Sequence, residues 1–152
     1  MAGKGQGTMS GTDRSAEKDG ERETTGRITL GSGAPWEDLI GYSRVVRVGN
    51  TIEVSGTVAI DDADNPVGGV SAYAQTIYIL AKIVKYLERA GGSKEHIVRT
   101  RMFVTDISQW QEIGRAHGEF FRDIRPATSM IEVSRLIAPE YLVEIEVTAI
   151  VT

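Results

Sequence analysis

Glu144 and Glu146 stand two residues apart in the word VEIEV, a spacing that puts both carboxylates on one face of an extended segment. A carboxylate so placed is either solvated or aimed into a site. Arg44, Arg99, Arg101 and Arg125 are the cations with a case for function, and Arg99 and Arg101 share one side of the run IVRTRMFV. A guanidinium presents a planar fork of donors that matches an anion; the plainer reading has all four solvated or paired with acidic neighbours. His117 falls on an apolar stripe with Ile113 and Phe120. It is either a hydrogen-bonded core residue or an acid or base, since its reference pKa suits both roles. His96 precedes a strand and reads as surface. Two separated histidines and no cysteine make no set with metal-ligand spacing, so no metal is expected. Gly68-Gly69 is followed by no GKS or GKT and is no phosphate loop, and no neighbouring His and Asp words argue for a serine triad.

The elements that must carry these groups follow from periodicity. Thr128, Met130, Glu132 and Ser134 alternate with Ser129, Ile131 and Val133, and Val143, Ile145, Val147, Ala149 and Val151 alternate with Glu144, Glu146 and Thr148. That is the pattern of two strands, read here as a final hairpin with Pro139 in its connection. An earlier hairpin is expected from Tyr42 to Val58, turning at Gly49-Asn50, where the sequence supplies the positive φ that such turns need. Ser71 is a candidate N-cap for a helix to Ala90 with Tyr73, Ile77, Leu80, Val84 and Leu87 on one face, stopped by Gly91-Gly92. Ile97–Val104 reads as a strand. Asp106 or Ser108 can cap a second helix bearing Trp110, Ile113, His117 and Ile124, which Pro126 ends. The order β-β-α-β-α-β-β implies an α+β fold: a mixed sheet with both helices on one face, and Glu144 and Glu146 on the other.

At 152 residues the chain is expected to hold one domain, residues 27–152, preceded by a disordered tail over residues 1–26, which has no aromatic or β-branched aliphatic side chain to bury. The absence of cysteine excludes disulfides and thiolate nucleophiles and suits a cytoplasmic location. The formal net charge of -4 and pI near 5.2 speak against nucleic acid as partner. No apolar run approaches the roughly 20 residues of a membrane span, and no secretory core is seen at the N-terminus, so no membrane partner is expected.

With the order in place, GYSR at 41–44, VSGT at 54–57, AQT at 74–76, VTD at 104–106, RPATS at 125–129 and VEIE at 143–146 together resemble the RidA/YjgF family of reactive-intermediate deaminases. The collinear words cover nearly all of residues 41–151. The resemblance implies a chorismate-mutase-like homotrimer with small-molecule pockets at the subunit interfaces. It implies hydrolysis of 2-imino or 2-enamino acids to 2-oxo acids and ammonia without a cofactor. It assigns Glu144 to the water, and Tyr42 and Ser55 to the pocket lining. The family's carboxylate-binding arginine falls on Thr128 and its second-helix asparagine on Gly114, one turn from His117. Loss of a charge-assisted fork at a dry site costs on the order of 2 to 5 kcal/mol, so Arg101 or Arg125 is expected to supply anion recognition in a rebuilt pocket. Two readings remain open: an imine or enamine deaminase with an altered substrate, and a trimer that binds a metabolite without turning it over. A ribonuclease or translation-inhibitor role is the weaker third.

Overall fold

The computed structural model describes residues 20–152, so most of the expected tail lies outside it. The tail's boundary is corrected at its end: β1 (Arg22–Thr24) forms a short antiparallel ladder with β2 (Arg27–Leu30). Composition misses β1 because its side chains are all exposed; backbone pairing across the turn at Gly26, φ 77°, makes the strand. A short helix, α1 (Pro35–Ile40), follows, closed by Gly41 in the left-handed region. That cap delays the next strand. It begins at Val45 rather than Tyr42, as β3 (Val45–Val48), and turns at Gly49, φ 58°, into β4 (Thr51–Val58).

Helix α2 (Ala72–Arg89) starts where the sequence places it, the Ser71 hydroxyl accepting from the Ala74 N–H at 3.1 Å. Its buried face is turned from the expected stripe. Thr76, Ile79, Leu80, Ile83 and Leu87 are buried, whereas Tyr73, Ile77 and Val84 lie at its margins. The displacement comes from buried polar residues that a hydrophobic pattern cannot register. Gln75 donates to the carbonyls of Gly69 and Glu140 at 2.8 and 2.9 Å and accepts from the Leu142 N–H at 2.9 Å, tying two loops to the helix. Then come β5 (Ile97–Val104), a 3-10 turn whose N–H at Ser108 is capped by Asp106, and α3 (Trp110–Phe121).

The last two strands, β6 (Ala127–Glu132) and β7 (Val143–Ile150), are not a hairpin. The sheet order is β1-β2-β3-β4-β7-β5-β6, with β7 antiparallel to both β4 and β5, and β6 parallel to β5. A period of two marks each strand but does not name its neighbour, and the connection from 133 to 142 is long enough to cross β5. The helix α3 is the crossover that makes β5 and β6 parallel, as expected from its position. Both long helices lie on one face, over Ile52, Val143, Ile145 and Val147, all nearly inaccessible. Burying each such aliphatic side chain is worth about 1.5–3 kcal/mol. The alternation of β7 therefore sends Glu144 and Glu146 to the face without helices.

Candidate functional site

The expected site residues fall into two groups, and the carboxylate of the first is on the face of the sheet opposite the second. The first gathers at a β-bulge. Between Val54 and Thr57 the register of β4 against β7 shifts, setting Ser55 and Gly56 into the bulge, and the β3–β4 ladder ends at Val45–Val54. The carbonyls beyond that ladder need another donor, and Arg44 supplies it. Its Nη1 donates to the Gly56 carbonyl at 2.6 Å and its Nη2 to the Tyr42 hydroxyl at 3.2 Å, while the guanidinium stands 5.5 Å from the Tyr42 ring centre and 5.9 Å from that of Tyr86. Arg44 is thus an internal fastener at the end of the β3–β4 ladder, not a solvated cation. Its Nε is buried without a partner.

Glu144 lies against this fastener. A Cβ on Gly56 would collide with its carboxyl group, so the absence of a side chain there creates the seat. Burial pushes the Glu144 carboxyl above the ordinary carboxylate range; Arg44 pulls the other way, and Glu146 adds to the rise. Ser55 contributes less directly, its hydroxyl donating to the Ser43 carbonyl at 2.7 Å. A cleft of about 650 Å³ opens beside Tyr42 and Ser43, with Tyr86, Asp62 and Glu37 in its walls; Glu144 is outside it.

The second group sits where β5 meets β6. Thr100 and Thr128 are register partners on the parallel strands, and the fully buried Thr100 hydroxyl donates to the Thr128 hydroxyl oxygen at 2.6 Å. On its other side Thr100 meets His117 Nε2 at 2.9 Å. The imidazole is half-buried and tilted against the Phe121 ring, with centres 4.7 Å apart, and burial lowers its pKa. Gly114, one turn earlier on α3, has open space where a Cβ would be. Since Thr100 alternates with Arg99 and Arg101 along β5, this group is on the helix side and Glu144 on the other. A single chain does not bring the two groups together.

Among the described residues, neither candidate anion-binding arginine makes a hydrogen bond or ion pair with Glu144, Thr128 or His117. Arg101 pairs with Glu146 at 3.1 Å, and Arg125 is exposed with φ 55° at the entry to β6. Sequence reasoning passed over Gly56 and Thr100, though each left a signal. A glycine inside a strand pattern marks bulges, and a threonine between two outward arginines must face inward. Among the described residues no trio of His, Asp or Glu is arranged to hold a metal ion, and no helix is long and apolar enough to cross a membrane.

The family model for endoribonuclease L-PSP matches residues 34–151, which include both groups. The chain belongs to that family. Its fold agrees with a solved Mycobacterium tuberculosis member of the YjgF/YER057c/UK114 family: 45% identity and a TM-score of 0.75, covering 82% of this chain and 99% of that one. A RutC family protein of Saccharolobus solfataricus is 34% identical over 108 residues, 71% of this chain and 85% of its own length. The 3-aminoacrylate deaminase RutC of Acinetobacter baylyi is 32% identical over 118 residues, 78% of this chain and 92% of its own. The endoribonuclease L-PSP family match thus extends from α1 to the end of β7.

Proposed function

We propose that this chain is a RidA-like homotrimer that hydrolyses a reactive imine or enamine, or a related C=N intermediate, to a carbonyl compound and ammonia. The observation that carries the reading is the seat of Glu144: a half-buried carboxylate on a bare glycine backbone, its proton affinity raised by burial. Such a group can take a proton from water as the oxygen adds to the C=N carbon, then return a proton to nitrogen as the C–N bond breaks. Tyr42, its hydroxyl held by Arg44, lines the cleft that opens beside Ser43. The separation of Glu144 from Thr128, Gly114 and His117 supports a site assembled between subunits, the open face of one copy meeting the β6 edge of the next. Similarity to the 3-aminoacrylate deaminase supports the reaction class.

A second reading is favoured by Thr128 and Gly114, which stand where the resemblance implies an arginine and an asparagine: the same trimer binds a small metabolite without turnover. The deciding experiment follows 2-oxo acid release from 2-iminopropionate generated in situ, for the natural protein, Thr128→Arg and Glu144→Ala. Turnover by the natural protein that Glu144→Ala abolishes supports deamination. Activity in Thr128→Arg alone shows a working water seat whose natural substrate lacks the carboxylate. Inactivity of all three removes deamination of this substrate and favours the binding reading. Sedimentation of the natural protein as a species other than a trimer would overturn the shared site.

A further inference from the structure

The hydrogen-bond chain on the helix side is closed at one end and open at the other. His117 is partly covered by Phe121, Thr100 is fully buried, and Thr128 is exposed on β6. Gly114 leaves empty space on the same helix one turn from the imidazole. The three groups form a polar line, 2.9 Å and then 2.6 Å long in its two links, that leads from an interior nitrogen to the surface.

Proton counting fixes what this line can present. The Thr100 hydroxyl has one proton. When it donates to Thr128, the imidazole must donate from Nε2, and the Thr128 O–H is released to point outward. When the chain runs the other way, Thr128 donates to Thr100, Thr100 donates to an unprotonated Nε2, and Thr128 offers lone pairs outward. Both arrangements satisfy the Thr100 hydroxyl and the imidazole Nε2, and neither carries a charge. An imidazolium would block the second arrangement, and burial of His117 disfavours the charged ring. Thr128 is therefore a neutral contact that can act as donor or acceptor.

No neighbouring charge shifts the proton affinity of His117, which burial alone lowers. Arg99 and Arg101 flank Thr100 in sequence and project from the opposite face, and Arg101 is engaged with Glu146. On α3, Arg115 pairs with Glu112 and Glu119. A carboxylate docked at Thr128 would gain a single hydroxyl donor in place of a two-donor cationic fork, with no counter-charge to offset the loss of its water. A primary amide, a hydroxyl or an unsubstituted imine gains a partner matched to its own neutral donor or acceptor.

We propose that Thr128, Thr100 and His117 form an uncharged donor–acceptor relay that recognises a neutral amide- or imine-like group of the ligand, making this site selective for molecules without a carboxylate at that end. This rests on the proposed small-molecule site, and its test is made on binding so that it stands apart from turnover. The full chain, labelled with nitrogen-15, is titrated with pyruvamide and with pyruvate while the imidazole nitrogens of His117 and the backbone amide of Thr128 are followed by NMR. Pyruvamide is expected to shift both sets of signals and to bind at least about tenfold tighter than pyruvate, the scale of an anion desolvated without a counter-charge at a partly buried site. Thr128→Ser retains this preference, and Thr128→Val loses it. Thr128→Arg reverses it in favour of pyruvate. In Thr100→Val the Thr128 amide still responds while the His117 nitrogens no longer do. Pyruvate binding as tightly as pyruvamide, no binding of either probe, or a pyruvamide response unchanged in Thr128→Val would each overturn the proposal. Whether ammonia is released from 2-iminopropionate bears on deamination alone.

Discussion

Glu144 and His117 are both half-buried titratable groups, yet the surroundings on their two faces of the sheet differ in kind. Glu144 sits beside a guanidinium and a second carboxylate, over a glycine that leaves its backbone bare. His117 meets a hydroxyl and an aromatic ring, with burial alone shifting its proton affinity. The bulge face is thus arranged to handle charge near a carboxylate, and the helix-side edge to remain neutral. Substrate selection and water activation need not be properties of one cluster.

The largest expected effect separates chemistry from scaffold on the bulge face. Glu144→Ala should lower ammonia release by about a hundredfold or more, the lower range of a lost general base, with a near-native thermal midpoint. An equally active variant would move the water to another group. Arg44→Met tests the fastener: it strips donors from the Gly56 carbonyl and the Tyr42 hydroxyl. A loss of about 2–3 kcal/mol in denaturant titration is expected from acceptors left unpaired at a partly buried strand end. On the other face Thr100→Val should cost less, about 1–2 kcal/mol, since Thr128 can turn to water and only the imidazole loses its buried partner.

The smallest effects concern pH and have opposite signs on the two faces. The raised pKa of Glu144 means that folding favours its protonated form. Its stabilising contribution is present below the ordinary carboxylate range and is lost as pH rises through the raised value. Glu144→Gln should therefore raise the thermal midpoint at neutral pH, with the gain vanishing in acid. The lowered pKa of His117 means that folding favours the neutral ring. That contribution is present above 6.5 and is lost as pH falls through the lowered value. His117→Gln should flatten the decline of stability on mild acidification, measured by denaturation at a series of pH values. Profiles with the same sign for both variants would erase the contrast between the faces.

Much of the frame was legible because local chemistry decides it. Ser71 caps its helix, Gly49 turns its hairpin, and Glu144 and Glu146 share the helix-free face, all as their types and spacing require. The partner of β6 was not legible, since alternation says which way side chains point but not which strand lies alongside. The buried face of α2 was misplaced for a related reason: Gln75 and Thr76 are interior because their polar groups are satisfied by partners distant in sequence or one turn back. For the site, the residue types around Glu144, Thr128 and His117 could be read, but their division between two faces could not. Thr100 and Arg44 join those groups through contacts that exist only once the sheet has formed.

The place of β7 has a consequence for the order in which the molecule can be made. It follows every other strand in the sequence, yet it is the strip that joins β4 to β5. Until the ribosome has released residues 143–150, the β1-to-β4 ladder and the β5–β6 pair have no shared seam, and α2 has only part of the surface it covers. Closure then needs contacts between segments far apart in sequence, which slows folding. The nascent chain must keep two unfinished sheet edges from other partners while it waits for its centre.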